Sequence, residues 1–219
     1  MNTQTVNANP IIDAAIGWRP GQDVWLESQN YFMRSLKPED ASDRMLAWWA
    51  DPEIMAPLRK KARTYSRGNL VRYIDKFDNA GGFLLGIFVK DTGLHIGWRR
   101  IYYDAKKGSA LNDVAVGDKS YQGRGVNFEL QNVFYDFMFY SVGVKWMVAT
   151  AYADNVRSCR RAERLGFRSS GIMPEQHLGT DGVLHDVIWF QLSERDWRAR
   201  RKWVCSPIWR AGYRIGALA

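Results

Sequence analysis

Cysteine is scarce. The 219 residues hold two, Cys159 and Cys205, and neither belongs to a C-x-x-C pair. This argues against a structural zinc site and suits a reducing compartment. The histidines, His95, His177 and His185, lie far apart in sequence, so no metal site is expected. No run of about 18 apolar residues occurs, which excludes a transmembrane helix. The polar stretch Met1 to Pro10 lacks the basic and apolar regions of a secretory signal, so a cytoplasmic location is expected. With 46% hydrophobic and 25% charged residues, the chain is not disordered, collagen-like or a coiled coil as a whole. Its length suits one domain.

Charge is unevenly spread. The net charge is +8, but residues 194–219 hold seven Arg or Lys against two acids, and the other 193 residues carry +3. A nucleic-acid binder has its basic stripe built into the fold, so nucleic acid is not an expected partner. A modestly basic body suits an anionic cofactor.

Residues 1–29 have weak periodicity and read as a surface arm. Residues 31–36 alternate as a strand. Pro38-Glu39-Asp40 opens a helix expected over 41–50 and ended by Pro52. Ser66 caps a second helix over 67–77. Strands follow at 83–89, 94–103 and 111–116. Val126, Leu130, Val133, Phe134, Phe137 and Met138 form one helical stripe. A strand at 145–152, a short helix from Asn155 to Leu165 and a hairpin of 170–178 with 183–192 complete a body of residues 30–193. Residues 194–219 form a basic, Trp-containing tail. It is expected to dock on the body or on a second subunit. The mix predicts an α+β fold with a largely antiparallel sheet.

The informative loop is Gln122-Gly123-Arg124-Gly125-Val126-Asn127, between a strand and the striped helix. Two glycines let the backbone curl so that successive amides point into one concavity. The helix dipole adds positive charge there, and Arg124 adds a charged donor. This chemistry suits phosphate or pyrophosphate. A nucleotide P-loop sequence is absent, and Phe128 stands where a dinucleotide fingerprint needs its third glycine.

Gln122 and Gly125 match a Q/R-x-x-G-x-G/A pattern, from which Asn127 departs, and Glu129 supplies an acid on the helix. Asn155-x-x-Ser158 continues to Glu163-Arg164-Leu165-Gly166-Phe167. Gly182-x-x-His185-Asp186-Val187 lies in the hairpin, and Trp49-Ala50-Asp51-Pro52-Glu53 lies near the front. In this order these motifs resemble the GNAT-type N-acetyltransferase superfamily, particularly its ribosomal-protein and amino-sugar branches.

The resemblance implies a three-layer fold with a mixed, mostly antiparallel sheet of about seven strands. It implies acetyl-CoA between splayed strands, with the backbone of Val114, Ala115 and Val116 along the pantetheine. Gln122, Gly123, Arg124, Gly125, Val126 and Asn127 would hold the pyrophosphate. Asn155 and Ser158 would lie near the sulfur, or Asn155 simply caps its helix. The activity implied is transfer of the acetyl group to a primary amine. The acceptor would be an amino sugar, nucleotide-linked sugar or polyamine, with a protein N-terminus as the alternative. A catalytically silent CoA-binding protein also fits, because Asn127 adds bulk and Ala162 replaces a usual tyrosine. Candidate catalytic residues are Glu53, Asp113 and Ser158, with Glu175 and His177 as further bases. A homodimer is common in such proteins.

Overall fold

A computed structural model describes residues 18–179, 182–204 and 214–216. Nine strands form one sheet: β1 (Trp25–Glu27), β2 (Tyr31–Ser35), β3 (Gly82–Val89), β4 (His95–Asp104), β5 (Ser109–Val116), β6 (Trp146–Tyr152), β7 (Arg168–Leu178), β8 (Leu184–Ser193) and β9 (Arg214–Gly216). Their spatial order is β7-β8-β6-β5-β4-β3-β2-β1-β9. Among the described residues only β5 and β6 run parallel; every other neighbouring pair is antiparallel.

The main helices are α1 (Asp43–Ala50), α2 (Pro52–Met55), α3 (Arg67–Ile74), α4 (Val126–Asp136), α5 (Val156–Arg164) and α6 (Glu194–Val204). They separate onto two faces. Strand β3 shows why: Phe83, Leu85 and Ile87 join the core under α4, while Leu84 and Phe88 join Met45, Trp48, Trp49 and Leu70 of α1 and α3. A strand buried on both faces reads as a continuous apolar run. The α4 stripe is wholly buried, as its spacing predicts. The α+β mixed sheet between helical layers is therefore as expected. Beyond the expected strands it has β1 and β9.

The reading of the N-terminal segment changes, while the C-terminal segment docks on the body over its described start. Trp18, Val24 and Leu26 are buried and Trp25–Glu27 pairs with β2, so residues 18–29 are not a surface arm. Three residues are too few to show a strand period. Residues 194–204 form α6, docked on the body by Trp197, which is 1% exposed and donates its indole N–H to Asp136 at 2.8 Å. Ser193 caps this helix by accepting from the Asp196 amide. Cys205 and Trp209 lie outside the described residues. At the other margin β7 carries two register shifts, near Gly171 and between Met173 and His177, and contains Pro174 and the left-handed Glu175.

Candidate functional site: a split in the sheet

The site begins where β5 and β6 part. They pair only between Ser109–Leu111 and Trp146–Val148. Strand β5 stays with β4 through Val116, and β6 stays with β8 through Tyr152. Each strand follows its outer neighbour, so a cleft opens at their carboxyl ends. This is where ligands enter parallel sheets. Past Leu111 the inner margin of β5 has no strand partner among the described residues.

The loop after β5 leads to the N-terminus of α4. Asp118 caps a tight turn at Lys119–Tyr121 and holds Arg44 at 2.7 Å. The Gln122 side-chain Nε2 donates to the Val116 carbonyl at 2.9 Å, fixing the loop to the end of β5. Gly123 and Gly125 sit at φ 77° and 79°, and nothing lies within 4 Å of where a Cβ would be. Gly125 is the N-cap and has no side chain to satisfy the first-turn amides. Val126 is buried in the core, so it offers only backbone. Asn127 keeps its Oδ1 buried with no hydrogen-bond partner. Arg124 is exposed, its guanidinium 5.6 Å from the Tyr121 ring.

At the root of the cleft lies a cavity of about 160 Å³. Asn112, Asp113 and Val114 of β5 border it, with Ala149, Thr150 and Ala151 of β6. Ser158, Arg161 and Ala162 come from α5, Gln131 and Tyr135 from α4, and Arg99 from β4. Thus Ala162 leaves space where a tyrosine was the usual residue.

The candidates from sequence divide. Ser158 borders the cavity, and its amide donates to Asn155 Oδ1 at 3.0 Å, so Asn155 does cap α5. Asp113 borders the cavity too, but its carboxylate is held by Lys60 at 2.8 Å and by Arg100. Glu53 is outside the lining, exposed and paired with Lys119 at 2.6 Å. His177 hydrogen-bonds the Tyr152 hydroxyl at 2.8 Å, and His185 stacks on the same ring. Glu175 is exposed and gives its amide to Asp186.

Sequence reasoning missed Arg99, Asn112, Gln131 and Tyr135. Arg99 is 2% exposed, packs its guanidinium 3.9 Å from the Phe134 ring centroid and leaves Nε without a partner. Burial pushes its pKa down to about 10, which still leaves it charged at neutral pH. Burial also raises the Tyr135 phenol, opposed by the nearby Arg99 and Arg161. The signal was the strand period: Gly97, Arg99 and Ile101 share one face of β4, and Ile101 is core.

A sheet split at one parallel pair, with a glycine-built helix end at its mouth, is a cleft suited to an extended phosphate-bearing ligand. The acetyltransferase (GNAT) domain model matches residues 31–168, and the chain belongs to that family. A GCN5-related N-acetyltransferase from Brucella melitensis superposes with TM-score 0.68 and 20% identity, over 84% of this chain and 86% of that one. Spermidine N-acetyltransferase from Vibrio cholerae, in complex with CoA and spermine, gives TM-score 0.69 and 18% identity over 77% and 98%. Ribosomal-protein-S5-alanine acetyltransferase from Vibrio fischeri gives 0.66 and 20% over 79% and 98%. No curated protein matches the sequence. Among the described residues no helix is long and apolar enough to cross a membrane.

Proposed function

We propose that the protein is an acetyl-CoA-dependent N-acetyltransferase acting on a primary amine of a small molecule. The observation that carries this reading is the split between β5 and β6 ending at the Gly123–Gly125 loop. The residues fit the donor. Both glycines leave open space, the helix N-cap has no side chain, and the inner margin of β5 has free backbone. Gln122 to Asn127 would hold the pyrophosphate, and Val114 to Val116 the pantetheine. Acetyl-CoA supplies an activated thioester carbonyl.

The chain's own groups then have distinct tasks. Backbone N–H groups at the free margin of β5 stabilise negative charge on the carbonyl oxygen. Ser158, bordering the cavity, passes a proton to the departing sulfur. Asp113, the carboxylate in the lining, would face the amine only through the lone pairs that Lys60 and Arg100 leave open. Glu53 lies too far toward the surface to touch the reacting atoms and steadies Lys119 in the donor loop. The family likeness to enzymes named for spermidine and for a ribosomal protein supports an amine acceptor.

Thermal unfolding with and without acetyl-CoA tests the reading, with Gly125→Trp as control. A ligand at about 100 times its Kd adds roughly 2.7 kcal/mol. The wild type is expected to shift upward and the control not. Thiol release is then followed with spermidine, an amino sugar and an N-terminal peptide. No shift at millimolar acetyl-CoA overturns the proposal, and release only with the peptide redirects it to a protein N-terminus.

A further inference from the structure

Arg99 is a buried cation without an anion. Its neighbours at the guanidinium are the Phe134 ring, Asn112 Oδ1 at 3.5 Å from Nη1, and the Tyr135 phenol. No carboxylate pairs with it among the described residues. Asp113, the carboxylate in the cavity lining, stands on the opposite face of β5 and is taken by Lys60 and Arg100. Two further arginines border the same cavity, the half-buried Arg59 and the exposed Arg161 of α5. Burying a charge costs several kcal/mol unless it is paired. Of the three arginines at the cavity Arg99 alone is buried, so the charge left without an anion is its own.

The position says which anion. The cavity opens at the point where β5 and β6 separate, just past Leu111 and Val148. On the reading proposed above, on which this inference rests, the acyl end of the donor comes to this point. An acetyl group ends in a methyl, which offers a guanidinium nothing. The lining on the α4 side is polar: Arg99, Asn112, Gln131 and Tyr135. The cavity of about 160 Å³ is many times the roughly 10–15 Å³ that one water needs.

We infer that the cleft takes acyl-CoA thioesters whose acyl group ends in a carboxylate, such as succinyl-CoA, with Arg99 as the group that binds that carboxylate. The planar fork of arginine suits a carboxylate by paired hydrogen bonds. The transfer balances without any further reagent. The amine nitrogen bonds to the thioester carbonyl carbon and the carbon–sulfur bond breaks. One proton leaves the nitrogen, one protonates the CoA thiolate, and the distal carboxylate passes unchanged into the amide product.

The test is calorimetric titration of the full chain with CoA, acetyl-CoA, butyryl-CoA and succinyl-CoA. Butyryl-CoA has the succinyl length without the charge. Succinyl-CoA is expected to bind about tenfold or more tightly than butyryl-CoA, in line with a hydrogen bond to a charged group. In Arg99→Gln that ratio falls to about one, while CoA itself binds as before. The wild-type ratio decides even if the variant does not fold. Equal binding of succinyl- and butyryl-CoA overturns the inference and leaves the proposed function intact. Binding of none of the four overturns both. An unchanged ratio in a folded Arg99→Gln removes Arg99 from the role.

Discussion

Ser28 donates its hydroxyl to the carboxylate of Glu129 at 2.6 Å, across 101 residues of sequence. The same carboxylate accepts from the Asn30 amide at 2.6 Å and from its side-chain nitrogen at 2.9 Å. The acid on the first turn of α4 therefore clamps the β1–β2 turn to the same end of the helix that carries the donor loop. Replacing Glu129 by Ala takes the shared acceptor from three donors. We expect a loss of about 2–3 kcal/mol by urea denaturation, and a smaller loss for Glu129→Gln, which keeps an acceptor. Equal losses would show that the acceptor kept by Gln contributes nothing.

His95 predicts an acid sensitivity. Its Nε2 faces the Gly97 carbonyl at 2.8 Å, and its ring stacks on Phe88. Burial pushes its pKa from 6.5 down to about 4. The unfolded chain then binds the extra proton between these values, so stability falls as pH drops through this window and levels off below it. Above pH 6.5 the contribution is fully present. Denaturation midpoints at neutral pH and about pH 4.5 should show the wild type losing about 2–3 kcal/mol more than His95→Gln. Parallel losses in the two proteins would contradict the assignment.

Gly117 and Trp48 define the end of β5. A Cβ at Gly117 would fall inside the Trp48 indole, well within van der Waals contact. That indole is 6% exposed and stacks on Trp98. Gly117→Ala should therefore cost about 1–3 kcal/mol through forced repacking. Trp48→Leu in the same chain should restore part of it, since the clash would be gone. A fully additive double mutant would rule out this contact.

Trp197 makes the start of the basic segment part of the fold. Trp197→Ala removes a buried indole and its bond to Asp136, at an expected cost of about 3–5 kcal/mol. A mobile tail would instead show no change in the melting transition.

The α4 stripe, the glycine loop and the caps at Ser66 and Asn155 were legible because each rests on local rules of period and turn chemistry. The split between β5 and β6 followed only from the family resemblance, because strand neighbours far apart in sequence carry no local mark. Three-residue strands such as β1 are below the length at which a period shows. Asp113 was legible as a charge beside the site, but not that Lys60 and Arg100 already hold it. Arg99 sits next to Arg100, and a pair of arginines suggests an exposed stretch. Only the pleat distinguishes them, sending one to the cavity side and the other to the α3 side, where it meets Tyr73.

The two margins of the sheet set how copies of this protein can meet. An open margin with regular spacing is a template on which another chain adds a strand. Here β9 is three residues long, too short to seed such growth. Strand β7 is long, but Pro174 lacks a donor and two register shifts break its rhythm. Neither described margin offers a long, regular ladder, which favours association of copies through side chains over continuation of the backbone ladder.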